Sequence, residues 1–199
     1  MTQPTENDIV LNLFKECDAL LQGHFKLTSG KHSEWYFEKI RLIEKPAALE
    51  KIVDLLAAKI RREVPDFDYV VSPAYGAIAI GFLAALKLGK KFAFTQRADE
   101  KMTVRSGFSG LDGSRAVIVE DILTTGGSIQ EVIACLREHQ VPVAGIYVLV
   151  DRSGGAVPIE GKAVGSLLAL KVEACEPDVC TFCAKGIPIT KPGASDKKT

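Results

Sequence analysis

The chain has 199 residues, 47% hydrophobic and 25% charged, with 25 basic side chains balanced by 25 acidic ones. That length suits one ordinary α/β domain with a sizeable core. The zero net charge argues against a dedicated nucleic-acid or membrane-surface protein, which would carry a basic excess.

Residues 1–8 are polar and the segment behind them carries charges, so no secretory signal is read and a cytoplasmic location is expected. Over residues 6–21, Ile9, Val10, Leu13, Phe14, Cys17, Leu20 and Leu21 recur at helical spacing, predicting an amphipathic helix that ends at Gly23. His24 to Thr28, the turn Ser29-Gly30-Lys31-His32-Ser33, and Trp35-Tyr36-Phe37 predict strand, turn and strand. Pro46 opens a helix to about Arg62, with Leu49, Ile52, Val53, Leu56 and Ile60 on one face. Asp68 to Ser72 predicts a buried strand and Gly76 to Leu88 the helix behind it. The uncharged run Tyr69 to Leu86 matches a membrane span in length only, because Pro73 and Tyr75-Gly76 interrupt it. The turn Ser72-Pro73-Ala74-Tyr75-Gly76 can hold an anion on its backbone N–H groups.

Lys91 to Thr95 is the next predicted strand. From Arg97 to Gly110 the pattern breaks, and Arg97, Lys101 and Arg105 read as a solvated basic loop. Ala116 to Val119 then reads as a short buried strand, with Glu120 and Asp121 at its carboxyl end. Ile122, Leu123, Thr124, Thr125, Gly126, Gly127 and Ser128 lead into an amphipathic helix, Ile129 to Leu136. Two readings stand: a turn whose free N–H groups and helix dipole take a phosphate, or a plain helix start behind a solvated strand end. In the first, the acids suit sugar hydroxyls or a divalent cation. Neither a Walker loop nor a dinucleotide fingerprint is present.

Val143 to Val150 predicts a strand ending in Asp151-Arg152-Ser153-Gly154-Gly155, and Val164 to Val172 one more. The tail, with Pro188, Pro192, Gly193, Ser195 and Asp196 to Thr199, is expected to be poorly ordered at its end. No internal repeat is seen. Five cysteines without framework spacing fit reduced thiols, with Cys17 and Cys135 in the core. Cys180-x-x-Cys183 with Cys175 nearby does not complete a tetrahedral zinc site unless His24, His32 or a partner chain contributes. Packed, reduced thiols are expected there, and no metal ligand is assigned.

The ordered set of apolar strand, Glu120-Asp121, Thr124-Thr125-Gly126-Gly127-Ser128 and helix closely resembles the 5-phosphoribosyl-1-pyrophosphate (PRPP) motif of type I phosphoribosyltransferases. With the hairpin turn and aromatics, the Pro73-Ala74-Tyr75-Gly76 loop, the basic loop and Asp151-Arg152, residues 20–153 resemble bacterial orotate phosphoribosyltransferases. Cys180 to Pro188 resembles the tail of one bacterial subgroup. The resemblance implies an α/β fold, a twisted, mainly parallel sheet flanked by helices with a small N-terminal hood. It implies one domain over 1–199: helix and hood in 1–45, core in 46–172, tail in 173–199.

It also implies that Glu120 through Ser128, Tyr75, Gly76, Arg97 and Lys101 bind PRPP. Thr124, Arg152, Tyr36, Phe37 and Lys31 would meet orotate, and Asp121, Lys101, Arg97 and Arg105 would act in catalysis. Mg2+ would arrive with PRPP, and the partners would be the two small substrates and a second copy in a homodimer, with no nucleic acid or membrane. Several positions depart from the better-known branch. Glu120 stands where Asp is usual, Thr28 replaces a hood lysine, Gly76 replaces the pyrophosphate-loop lysine, and the basic loop lacks one lysine and a histidine. Competing functions are a purine phosphoribosyltransferase of the same fold and a PRPP-sensing regulator that binds nucleic acid.

Overall fold

The structure, a computed structural model, describes residues 6–27, 29–155, 157–170 and 174–190. Helix α1 (Glu6–Glu16) leads into the hairpin of β1 (Leu20–Lys26) and β2 (His32–Phe37). A short α2 (Ile40–Ile43) precedes α3 (Pro46–Glu63), which starts on Pro46, where a missing N–H costs nothing. Then come β3 (Tyr69–Pro73), α4 (Ile78–Leu88), β4 (Lys91–Ala98), β5 (Lys101–Val104), β6 (Ala116–Leu123), α5 (Gly127–Glu138), β7 (Val143–Asp151) and β8 (Gly165–Ala169). The chain continues through β9 (Ala174–Cys175), a 3-10 turn (Pro177–Val179) and α6 (Thr181–Ala184).

Six strands form one sheet in the order β5-β4-β3-β6-β7-β8, parallel except for the antiparallel β4–β5 pair. Strand β3 is buried throughout and β6 almost so, as expected of parallel strands covered on both faces. The chain leaves β3 for β4 on one side, then returns to place β6 and β7 on the other. Strand order therefore reverses between β3 and β6, and their carboxyl ends frame a crevice.

Alternation along β6 sends successive side chains to opposite faces. Val117 and Val119 join the core under α1, α3 and α4, while Ile118 joins the core under α5. Helix α1 thus covers the main sheet through Val10, Leu13 and Phe14, with Cys17 just beyond its end. The hood is a separate three-stranded sheet, β1-β2-β9, so it draws on both ends of the chain. Cys17 and Cys135 are buried, as expected.

Three departures from the sequence reading shape the site and its surroundings. The first helix stops at Glu16 because Asp18 turns left-handed (φ 54), and Leu20 and Leu21 enter β1 instead. The strand at 116–119 extends to Leu123, carrying both acids inside it. Much of the expected basic loop is a hairpin, β4–β5, turning on Asp99 (φ 49) and Glu100 (φ 65). Of the strand expected at 164–172, Gly165–Ala169 is formed, while Lys171 and Val172 lie outside the described residues, as do Thr28 and the tail from Lys191 to Thr199. Among the described residues no helix is long and apolar enough to cross a membrane.

Candidate active site

Because Glu120 and Asp121 are consecutive on a strand, they face opposite ways. Glu120 turns to the α5 side, where Oε1 accepts the Asp121 N–H at 3.0 Å and Oε2 accepts the Ser128 hydroxyl at 3.2 Å. Its longer arm thereby ties the strand end to the first turn of α5. Burial, with the Asp121 charge adding to it, pushes the Glu120 carboxyl up to about 8, against the pull of the two hydrogen bonds and Lys39.

Asp121 turns toward the hood, where Lys39 Nζ lies 2.5 Å from Oδ2. That contact is an ion pair by distance but lacks hydrogen-bond geometry, so buried Oδ2 keeps a lone pair open. Gly76, at the end of the β3 turn, lies against the same pair. A Cβ there would run into the Asp121 carboxylate and come within 2.6 Å of Lys39 Nζ. Lys39 Nζ thus occupies the space that a side chain at position 76 would enter. The Ala74–Tyr75 peptide of this turn is cis, and Tyr75 is largely exposed.

The turn after β6 is open, with Thr124, Thr125, Gly127 and Ser128 exposed. Gly126 caps α5 in the left-handed region (φ 82), a conformation glycine adopts without strain. A Cβ on Gly126 would collide with Ile159, which floors the turn from the loop after β7. The first helical bond of α5 runs from Gln130 N to Gly126 O at 3.0 Å. The N–H groups of Gly127, Ser128 and Ile129 therefore precede the ladder, at the positive end of the helix dipole. Free N–H groups so placed favour an anion.

A cavity of about 570 Å³ spans the gap between hood and sheet, lined by Lys26, Leu27, Tyr36, Phe37, Glu38, Lys39, Asp121, Ile122, Thr124 and Arg152. A larger depression of about 840 Å³, lined by Asp18, Ile40 and Arg41 among others, has neither the acids nor the phosphate turn. Arg152 follows β7, with its N–H donating to Leu123 O at 2.9 Å. Asp151 does not pair with it. Its carboxylate instead accepts the Ser153 N–H and hydroxyl and the Gly155 N–H, fixing the turn that holds Arg152. Burial draws the Arg152 guanidinium below its ordinary value, and its buried Nε has no partner.

The cavity thus gathers Tyr36, Phe37, Asp121, Ile122, Thr124 and Arg152 from the residues expected, with Gly76 beside it. Lys31 is elsewhere, paired at 3.1 Å with Glu176 on the hood surface, and Lys26 lines the cavity instead. Arg97 and Lys101 are also outside it, held on the exposed side of α5 by Glu131 at 2.7 Å and Glu138 at 2.8 Å, and Arg105 is exposed. Lys39 and Ile159 escaped the sequence reading. A lone lysine in a charged stretch and an isoleucine in a Gly-rich loop carry no local signal of such roles.

Comparison with known proteins agrees with this architecture. The family model "Phosphoribosyl transferase domain" matches residues 42–178. The orotate phosphoribosyltransferase of Caldicellulosiruptor bescii is 38% identical over 190 residues, 96% of this chain and 98% of that protein. That of Pelotomaculum thermopropionicum is 40% identical over 187 residues, 94% of this chain and 97% of that protein. The crystal structure of the Aeropyrum pernix orotate phosphoribosyltransferase superposes with a TM-score of 0.68 at 28% identity, covering 81% of this chain and 94% of that one. An adenine phosphoribosyltransferase structure shares the fold at 19% identity, with a TM-score of 0.64. With the acid pair, the glycine-capped turn and the hood in their places, and near full-length identity of this order, the chain belongs to the orotate phosphoribosyltransferase family.

Proposed function

We propose that the protein transfers the 5-phosphoribosyl group of PRPP to N1 of orotate, releasing pyrophosphate and giving orotidine 5′-monophosphate for pyrimidine synthesis. The observation that carries the choice of base is Arg152: a half-buried guanidinium whose buried Nε has no partner, in a cavity bounded by Tyr36 and Phe37. A planar guanidinium fork suits a carboxylate, and aromatic walls suit a flat ring. Hypoxanthine and adenine offer no carboxylate.

The reaction breaks the C1′–oxygen bond to pyrophosphate as N1 approaches, through an oxocarbenium-like transition state. Such chemistry needs positioning and charge neutralisation rather than a covalent partner from the protein. The turn from Thr124 to Ser128 and the start of α5 hold the 5′-phosphate. Asp121, with its open Oδ2 lone pair, accepts a ribose hydroxyl, and Glu120 steadies the turn through Ser128. Lys39 and the Tyr75-Gly76 turn face the pyrophosphate, and Arg152 with Thr124 holds orotate. Mg2+ bound with PRPP would lower the charge on the departing pyrophosphate. Asp121 Oδ2 also fits a metal-bound water.

The lid cations Arg97, Lys101 and Arg105 serve the site of a neighbouring subunit in a homodimer. Two features support this: none of the three lines its own chain's cavity, and α4 leaves Phe82 and Leu86 exposed as an apolar face. The five free cysteines support a reducing, cytoplasmic setting. Steady-state assays with orotate, uracil, hypoxanthine, xanthine and adenine, with PRPP and Mg2+, test the assignment. Orotate alone is expected to turn over, and a faster rate with any purine overturns it.

A further inference from the structure

Away from the cavity, the hood closes over a second group of chemistry-bearing side chains. His24 lies on β1, His32 begins β2, and Cys180 and Cys183 flank the start of α6. Two of the chain's three histidines and two of its five cysteines thus meet in one place. Their four ligand atoms lie within 4.8 Å of one another.

We propose that His24, His32, Cys180 and Cys183 form a tetrahedral zinc site that staples the C-terminal segment to the hood. An ion bonded at about 2.05 Å to nitrogen and about 2.3 Å to sulfur spaces its tetrahedral ligands at about 3.3 Å (N···N), about 3.6 Å (N···S) and about 3.8 Å (S···S). The protein places His24 Nε2 3.5 Å from Cys180 Sγ and 3.7 Å from Cys183 Sγ. His32 Nδ1 is 3.2 Å from Cys183 Sγ and 2.9 Å from His24 Nε2. The two spacings from His24 Nε2 to sulfur match the tetrahedral set to about 0.1 Å, and the two at His32 Nδ1 are each short of it by about 0.4 Å.

The tautomer agrees. His24 Nδ1 is 2.7 Å from the Ile187 carbonyl, which can only accept, so Nδ1 carries the proton and Nε2 presents a lone pair to the cluster. A metal-binding imidazole is ordinarily oriented through its other nitrogen in this way. The His24 ring also stacks on Phe182 at 5.5 Å and 21° between planes. A plain histidine pair accounts for one contact, His24 to His32, but not for two sulfurs aimed at the same lone pair. Two thiolates, two neutral imidazoles and Zn2+ sum to zero charge, as suits a pocket where His24, His32 and Cys180 are each below 5% exposed.

Four protein ligands leave no open position, so the site is structural. Mixed nitrogen and thiolate donors in this shape select zinc over calcium or magnesium. Its effect follows from what it joins: Thr190 N donates to His24 O at 2.7 Å beside a Phe25–Thr190 bridge, and β9 pairs with β2. The segment carrying the cysteines is thus fixed to the sheet that supplies Tyr36 and Phe37. The packed-thiol expectation arose because one Cys-x-x-Cys and a third thiol left the ligand set short, and the fold supplies two histidines.

The test is metal analysis of the full chain purified without chelators, followed by exchange of the bound metal for Co2+. We expect about one zinc per chain, and a cobalt form with the visible bands of a tetrahedral site and thiolate-to-metal charge transfer. Cys175→Ser, next to the cluster but outside it, is expected to retain the metal. Cys183→Ser and His32→Gln are expected to fall below about a tenth of wild-type zinc. Wild-type protein that neither contains zinc nor takes up Zn2+ or Co2+ overturns the proposal, as does zinc retained in the Cys180→Ser/Cys183→Ser double variant. Should the variants fail to fold, the wild-type cobalt spectrum decides alone: a six-coordinate spectrum, or one lacking thiolate charge transfer, overturns it.

Discussion

Glu120 is held protonated by its surroundings, which makes the fold's stability depend on pH in a direction the structure fixes. An ordinary glutamate titrates at 4.5, whereas burial and the neighbouring Asp121 charge push this one up to about 8. Between those values the folded protein keeps a proton that the unfolded chain has released, so stability falls as pH rises through the window and levels off above it. At about 1.4 kcal/mol per pH unit, the whole window corresponds to on the order of 5 kcal/mol. Relaxation around the ionised carboxylate recovers part of this, leaving an expected decline of about 2 kcal/mol. Glu120→Gln imitates the protonated form and removes the titration. Urea unfolding of both proteins at pH 5, 6.5, 8 and 9 isolates the effect of the acid pair, because groups remote from position 120 cancel in the difference. The variant should gain on the wild type from pH 5 to 8 and then run parallel. A difference that is constant with pH, or one that favours the wild type at pH 8, refutes the reasoning.

Gly126→Ala should cost about 2 kcal/mol of stability or more, from a left-handed backbone and a collision with Ile159, and raise KM for PRPP. Thermal unfolding and PRPP-dependent kinetics check it, and an unchanged Tm contradicts it. Arg152→Lys keeps the charge but loses the planar fork, so kcat/KM for orotate should drop by about 10- to 100-fold, the scale of a lost charge-assisted hydrogen bond, while KM for PRPP holds. An equal effect on both substrates would remove Arg152 from the base site. Lys101→Ala and Arg152→Ala, each nearly inactive, should recover roughly a quarter of wild-type activity when dissociated and reassociated together, because half the dimers are mixed and half their sites whole. Mixed dimers without activity would place the lid over its own site.

Much of this was legible because the signals are local. The β6–α5 unit announces itself through an apolar run, two acids and a Gly-Gly turn within a dozen residues, and Arg152 follows a strand in the expected register. Elsewhere the determinants are convergent and distant. His24 and Cys180 are 156 positions apart, and no periodicity joins them. Lys39 acquires its role only when the hood folds over β3 and brings it to Gly76. The β4–β5 hairpin was hidden for another reason. Its turn puts Asp99 and Glu100 at positive φ, where glycine or asparagine is the usual mark.

That hairpin also sets a condition on any anion that recruits its cations. Arg97 and Lys101 already have carboxylates, Glu131 and Glu138, so an incoming phosphate must displace an existing partner rather than meet a bare charge. The exchange trades one exposed ion pair for another, and most of the Coulomb energy cancels. Selectivity then lies with the anion's charge: a multiply charged pyrophosphate competes with a glutamate, and chloride does so poorly. Dissolved salt screens the resting pairs as well as the new ones. Ionic strength is therefore expected to alter how fast the hairpin lets go more than how tightly the substrate is finally held.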